Sequence, residues 1–457
     1  MKIILINPPL QEDFPSDSCS PPLGLIAIAS MVKDMEVKII DSPPKGLSIE
    51  QIVTEVISEK PDLVGITSMT PSYSIAMKIA EAIKKESDIK ICSGGSHSTL
   101  MTEDVLRSGV FDFVVRGEGE ETFLELCKSL QKNSKITKIK GVSFVNDGKI
   151  IHNEQRKSIR DLDGLPFPSY ELLPFKDYQS KAPLSLVRKT SWFSYCSSRS
   201  CNFSCRFCST SKIWGRGWRG FSPNRMVKDV KRLIDIYGLK SIFFVDDNFT
   251  LNRKRILEFC KKIKSEKIKF EWSCNCRVDQ VDEELLMNMK NAGCWRIGFG
   301  IESGTQKVLD WFGKGITLDQ ARNSIKLCKK IGISQVCYFI IGSPIENEKD
   351  IMATINFAKE LNPDVAGFSL LTPYPATRLY DESIENNWFI DNTIDFKKFN
   401  QNKPTIKCGV SPERLVELNK MAYRGFYLRP KYMISQLIKN IRNPKQLQRG
   451  IKNILGR

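Results

Sequence analysis

Residues 192–208 read WFSYCSSRSCNFSCRFC. The aromatic run Trp192 to Ser197 is a strand candidate, and Cys201, Cys205 and Cys208 follow it with the spacing CxxxCxxC. Three thiolates on so short a loop can wrap an iron-sulfur cube and hold three of its irons, whereas a closed structural cluster uses four cysteines. The fourth iron is then open to another ligand. A zinc site of three cysteines and one histidine is the competing reading, but the only histidines are His97 and His152, and the nearer lies 49 residues before Cys201. Cys196 is a conceivable fourth ligand, although its expected place inside the strand makes it a core cysteine. Fourteen cysteines without a recognisable export signal fit a reducing compartment, where clustered cysteines bind metal or do chemistry.

Outward from this loop, apolar runs continue at Ser241 to Val245, Phe270 to Asn275, Trp295 to Gly300, Gln335 to Ile341 and Val365 to Leu371. Six strands at roughly 30 to 50 residue spacing predict a partial (β/α)6 barrel. Upstream, Ile3 to Ile6, Val37 to Ile40, Leu63 to Thr67, Ile89 to Cys92 and Phe111 to Val115 alternate with helical segments such as Ser72 to Lys85. That pattern predicts an α/β fold with a doubly wound, Rossmann-like parallel sheet, whose ligands bind outside the carboxyl ends of the strands. Residues 141–153 read as a hairpin around Asn146-Asp147-Gly148. Expected boundaries are 1–155 for the first unit, 156–185 for a Pro-punctuated connector, 186–385 for the barrel and 386–457 for a small helical C-terminal region with a helix start at Ser411-Pro412-Glu413.

Apolar residues make up 41% and charged residues 26% of the 457, which excludes disordered, collagen-like and disulfide-stapled classes. No apolar run approaches the roughly 18 residues of a spanning helix, and the first ten residues are too short for a signal core, so a cytoplasmic location is expected. The net charge is 69 − 52 = +17, and residues 418–457 hold ten Lys or Arg and no acid. Met433, Ile434, Leu437, Ile438 and Ile441, then Leu447, Ile451, Ile454 and Leu455, recur at helical spacing among Lys439, Arg442, Lys445, Arg449 and Lys452. An apolar stripe flanked by cations suits the headgroup layer of an anionic membrane, or else docks on the barrel. Nucleic acid is disfavoured, because no aromatic residue for stacking follows Tyr432.

With the three cysteines, residues 243–250 (FFVDDNFT), 276–286 (CRVDQVDEELL), 298–303 (GFGIES), 339–344 (FIIGSP) and 373–380 (PYPATRLY) resemble, in that order, the radical S-adenosylmethionine (SAM) enzymes with an N-terminal cobalamin-binding domain. The resemblance implies a [4Fe-4S] cluster on Cys201, Cys205 and Cys208, SAM on its open iron, one-electron cleavage to a 5′-deoxyadenosyl radical, and a low-potential electron donor of the ferredoxin or flavodoxin type. It implies Phe207 near the adenine, Asp246 at the SAM amino group or capping a helix, and Ser273, Arg277 and Glu302 at SAM polar groups from the ends of the third and fourth strands. Arg277 has Asp279 as an alternative partner. Gly342 would let adenine approach the backbone.

The N-terminal part resembles the cobalamin domain of the same enzymes through Asn7-Pro8-Pro9, Pro22-Leu23-Gly24, residues 61–68 (PDLVGITS), Gly94-Gly95-Ser96-His97 and Gly117-Glu118-Gly119-Glu120. Cobalamin contacts are thereby expected from Asn7, Ser68, Gly94, Gly95, His97, Gly117, Glu118 and Gly119. The Asp-x-His-x-x-Gly motif that supplies a histidine to cobalt is absent, since Gly95 and Ile150 stand two before the histidines. The lower face of cobalt is then vacant or held by another group. Cys19, Cys92 and Cys127 are scattered, against a sulfur-inserting rival with a second cluster there, and Cys274 and Cys276 are expected to face opposite ways. The function implied is methylation of an unactivated carbon, the substrate a lipid or isoprenoid if the tail meets a membrane. Radical ring formation or oxidative cyclisation is the runner-up, and a cobalamin sensor the rival from another class.

Overall fold

The computed structural model describes residues 1–10, 19–183 and 187–440, with side chains to Ser435. Seven strands form the first sheet: β1 (Lys2–Asn7), β2 (Glu36–Asp41), β3 (Leu63–Thr67), β4 (Lys90–Gly94), β5 (Phe113–Val115), β6 (Val142–Asn146) and β7 (Lys149–His152). Their order is β2-β1-β3-β4-β5-β6-β7, parallel through β5 and antiparallel beyond it. Ile3 to Ile6 are completely buried, as a strand covered by helices on both faces requires. The predicted hairpin is β6–β7, and Asp147 (φ 48°) and Gly148 (φ 73°) supply the left-handed pair of its two-residue turn.

The second sheet contains β8 (Trp192–Tyr195), β11 (Ser241–Phe244), β12 (Glu271–Cys276), β13 (Cys294–Glu302), β14 (Ser334–Ile341) and β15 (Val365–Leu370). All six expected strands are present, parallel and in sequence order, the open half-barrel predicted above. Two short strands beside it, β9 (Ser198–Arg199) and β10 (Arg219–Gly220), form an antiparallel ladder next to the cysteine loop. β8 ends at Tyr195, so Cys196 lies just beyond the strand and not inside it; its thiol donates to the Ser198 carbonyl at 3.1 Å.

Side chains that accept the first orphaned backbone N–H groups start the helices on the outer face: Ser222, Asn252, Asp282, Thr317, Asn347 and Ser411 each cap one. The helix Pro412–Tyr427 runs along β15, the open edge of the sheet. There Tyr427 Oη donates to the Ala366 carbonyl (2.8 Å) and accepts from its N–H (3.1 Å), and Tyr423 Oη does the same at Phe368 (3.0 and 3.1 Å). The backbone edge of β15 is thus paired without a seventh strand.

One apolar core runs from Ile3 and Leu5 through Leu162, Tyr170 and Tyr178 of the connector to Trp192 and Phe193. The connector is sewn to both sheets: Tyr170 Oη donates to the Ser194 carbonyl at 2.7 Å, and Tyr178 Oη donates to the buried carboxylate of Asp41. Among the described residues no helix is long and apolar enough to cross a membrane. Of the tail stripe, Met433 and Ile434 are described and exposed (47% and 57%); the side chains from Leu437 onward and all residues from 441 lie outside the described part.

Candidate active site

The cysteine loop starts at the end of β9 and is held from three directions. Arg206, between the second and third cysteines, donates from Nε to the Trp311 carbonyl (2.7 Å), pairs with Glu382 and lies over the Trp311 ring at 4.5 Å. Its own carbonyl accepts from Leu379 N–H at 3.0 Å. Arg277 lies over the Phe203 ring at 3.5 Å. Cys201, Cys205 and Cys208 are each half-buried, and burial pushes the thiols of Cys201 and Cys205 up. Among the described residues no three His, Cys, Asp or Glu side chains converge on a single ion. Three half-buried cysteines on one short loop, with neither histidine among the residues that hold it, are a donor set of the chemistry that a [4Fe-4S] cluster with one open iron takes.

The residues expected to hold SAM are redistributed. Asp246 is 1% exposed and accepts from Ser197 N–H (3.1 Å), Ser197 Oγ (2.8 Å) and Ser198 Oγ. It ties β11 to the turn after β8, and it neither caps a helix nor points a free carboxylate into the barrel. Its neighbour Asp247 is exposed toward the loop mouth and accepts from Thr210 Oγ1 at 3.1 Å, the hydroxyl that Cys208 Sγ approaches at 3.3 Å. The protein packed behind it pushes the Asp247 carboxyl up to about 6. Both acids were in view in VDDN, but the face each would take depends on where β11 ends.

Arg277 forms a two-point pair with Asp279 (3.0 and 2.9 Å) and donates to the Lys314 carbonyl at 2.6 Å, so the alternative partner is the observed one. Ser273 is buried in the middle of β12, not at its end. Glu302 closes β13 in a left-handed conformation (φ 68°), a sparsely populated state for a non-glycine residue, and its carboxylate pairs with the buried ammonium of Lys314. A Cβ on Gly300 would come within 2.6 Å of Lys314 Nζ, which is why the strand is bare there. Lys314 carries no motif signal and was missed. Phe207 packs edge-on against Phe312 at 5.1 Å. Gly342 (φ 90°) faces the helix Pro412–Tyr427, where a Cβ would meet Leu415 Cδ2 at 2.6 Å.

On the first sheet, Asn7 donates to Asp41 at 2.9 Å. Ser68 Oγ and Ser98 Oγ are 3.0 Å apart, Ser68 N–H donates to the Gly94 carbonyl (2.9 Å), and His97 N–H donates to the Ser68 carbonyl (3.1 Å). At Gly95 (φ 92°) a Cβ would come within 2.7 Å of the Ser68 carbonyl oxygen. The polar groups of Ser68, Gly94 and His97 therefore knit the ends of β3 and β4 together. The His97 ring is completely buried between Tyr73 (4.1 Å) and Phe396 (5.0 Å) with Nδ1 3.2 Å from Thr70 Oγ1.

Gly117 and Glu118 do line a cleft of about 870 Å3, which opens between the ends of β4 and β5 and residues 212–215 that follow the cysteines. Arg116, Arg156, Lys157 and Lys212 also line it, with Glu103 and Asp104 among them, and Arg156 is paired with Glu121 and Glu125, so the wall is of mixed charge. A Cβ on Gly117 (φ 71°) would close on Gln155 Nε2 at 3.4 Å in the same wall. Gly119 instead faces Ile28 and Val115. Glu118 and Glu120 are buried in ion pairs with Arg199, and Glu118 also with Arg219. The sulfurs of Cys274 and Cys276 are 3.7 Å apart, both buried; residues two apart in a strand share a face, so the expectation of opposite faces is corrected.

Two family models match the chain: the radical SAM superfamily over residues 195–358 and the B12 binding domain over residues 15–127. An uncharacterized methyltransferase of Pyrococcus horikoshii is 37% identical over 447 residues, covering 96% of this chain and 95% of the relative. An anaerobic magnesium-protoporphyrin IX monomethyl ester cyclase of Rubrivivax gelatinosus is 27% identical over 95% of this chain and 79% of its own. The solved structure of the cobalamin-dependent S-adenosylmethionine radical enzyme OxsB, with aqua-cobalamin and S-adenosylmethionine bound, superposes with a TM-score of 0.76 at 19% identity, over 99% of this chain and 70% of that one.

Proposed function

The chain belongs to the radical SAM enzymes that carry a B12-binding domain, and from that premise we propose that it methylates an unactivated carbon. Its cofactors are a [4Fe-4S] cluster, SAM and cobalamin, and as a radical SAM enzyme it draws on a low-potential reductant. The cofactor contacts are our assignment. Cys201, Cys205 and Cys208 hold the cluster, Phe207 and Asp247 border SAM, and Gly117 and the cations of the cleft hold cobalamin; residues 1–155 and 186–385 are the two cofactor-binding units. Bound there, the cluster and SAM supply a carbon-centred oxidant and cobalamin a transferable methyl group.

The observation that carries the reading is the shared wall: residues 212–215 continue the cysteine loop and line the cleft at the strand ends of the other unit. Groups held on the two sides meet across one space, and a transferred methyl must lie within contact of the substrate carbon. Arg206 and Arg277 fix the loop, and Glu302 with Lys314 closes the end of β13 next to Cys205. The likeness to the cyclase of Rubrivivax gelatinosus supports a second reading, radical ring formation without methyl transfer.

For the substrate we favour a lipid or isoprenoid, brought by peripheral contact of the C-terminal helices with an anionic membrane from the cytoplasmic side. Support comes from Leu428, Met433 and Ile434, half or nearly half exposed beside a tail without acids.

The test is anaerobic reconstitution with iron, sulfide, SAM, hydroxocobalamin and a low-potential reductant, followed by mass spectrometry of incubated lipid extracts. A gain of about 14 Da, one hydrogen replaced by CH3, with 5′-deoxyadenosine released supports methylation; loss of hydrogens without that gain supports cyclisation. The triple Cys201→Ala, Cys205→Ala, Cys208→Ala variant is expected to bind no cluster and release no 5′-deoxyadenosine, and an undiminished cluster would remove the assignment.

A further inference from the structure

Glu118 belongs to two places at once. It lines the cleft, yet its side chain is only 5% exposed, because both carboxylate oxygens reach across to the other unit. Oε1 accepts from Arg199 Nη1 (2.7 Å) and Arg219 Nη1 (2.8 Å), and Oε2 accepts from Arg219 Nη1 (2.9 Å) and the Ile159 N–H (2.6 Å). Glu120 takes the other arm of Arg199.

Arg199 and Arg219 stand directly opposite each other in the β9–β10 ladder. Like charges in that position repel, so the ladder needs an anion from outside it. β9 is also the approach to the cluster loop, for Arg199 stands two residues before Cys201. From β10, Arg219 Nη2 donates to the Trp214 carbonyl at 2.8 Å; Ser200 Oγ donates to the Gly215 carbonyl at 2.7 Å, and the Arg199 guanidinium lies over the Trp214 ring at 5.2 Å. Trp214 and Gly215 are themselves cleft wall. A displacement of the Gly117-Glu118 wall is therefore transmitted to Arg199 and on to Cys201 through charge-assisted bonds and not through loose contact.

We infer that Glu118 is a positioning residue that couples occupation of the cleft to the placement of the cluster loop, so that cobalamin and SAM influence each other's binding. The inference rests on the cofactor reading above. Such coupling is reciprocal: whatever factor cobalamin imposes on SAM affinity, SAM imposes on cobalamin.

The experiment measures SAM dissociation constants of the reconstituted full chain by equilibrium dialysis, with and without hydroxocobalamin, and hydroxocobalamin affinity in parallel. In the unmodified chain cobalamin is expected to change SAM affinity about fivefold or more. In Glu118→Gln that ratio, measured at saturating hydroxocobalamin, is expected to fall toward one, whatever the variant's own affinity for cobalamin. Glu120→Gln also loosens Arg199 but lies outside the cleft wall, and it is expected to keep the ratio. Should Glu118→Gln not accumulate, Glu118→Asp keeps the charge but withdraws it by one methylene, and at least half of the coupling is expected to go. An unchanged ratio in the Glu118 variants, or equal loss in Glu120→Gln, overturns the inference. If the unmodified chain binds both cofactors with no coupling, the inference alone fails; if it retains no cobalamin at all, the cofactor reading fails with it.

Discussion

The imidazole of His97 is wedged between Tyr73 and Phe396, and burial lowers its pKa from 6.5 to about 4. It is thus neutral in the folded chain over a range in which the unfolded chain takes up a proton. Stability from this group is present above pH 6.5 and is lost as the pH falls toward 4, about 2 kcal/mol of it between pH 7 and pH 5. Urea unfolding at those two pH values is expected to show that difference, and His97→Gln is expected to shrink it; an equal drop in the variant would assign the acid sensitivity elsewhere. Such environments are what single residues in a sequence conceal. The cysteine spacing was readable because all three thiols lie within eight residues, whereas the partners of Asp246 stand 48 and 49 positions away and those of Glu118 up to 101. A carboxylate at a strand end looks free until the side chain that occupies it is known.

β15 is the last strand of an open sheet, and the hydroxyls of Tyr423 and Tyr427 complete its hydrogen bonding. Without the two hydroxyls the Ala366 N–H and carbonyl and the Phe368 N–H lose their partner on this side, while Asn419 Nδ2 still donates to the Phe368 carbonyl at 3.3 Å; each lost bond is worth about 1 kcal/mol. Tyr423→Phe with Tyr427→Phe is expected to lower stability by roughly 2 to 4 kcal/mol while secondary structure is retained, and to raise self-association by exposing the strand edge. Denaturant midpoints and size-exclusion chromatography check this, and a variant of unchanged stability would leave the helix holding by Leu415, Leu418 and Phe426 alone. At this scale most of the architecture was legible: continuous apolar runs located the parallel strands of both sheets, and Asp147-Gly148 announced the hairpin. The side-chain period was misapplied at Cys274 and Cys276, where positions two apart share a face. The tyrosine seal escaped notice, since nothing local ties a helix to a particular strand edge.

For the molecule as a whole, charge is concentrated where residues 418–457 carry ten cations and no acid. Cations near an anionic bilayer add about 1 kcal/mol each, and the exposed Met433 and Ile434 would add apolar contact to such a surface. The full chain is expected to co-sediment with vesicles containing phosphatidylserine and to be released by salt, whereas a chain ending at Arg429 is expected to stay in the supernatant. Equal binding by both, or none by either, removes membrane contact and with it the preference for a lipid substrate.

The boundaries read near residues 155 and 186 mark a change of sheet but not of core, because Leu162, Tyr170 and Tyr178 carry one apolar interior from Ile3 to Trp192. A chimera that joins this first sheet to a relative's half-barrel inherits half of an interlocked surface, and only a splice that moves residues 156–183 together with the segments they pack against keeps that surface matched. Neither half of this chain can be traded without recutting the surface of the other.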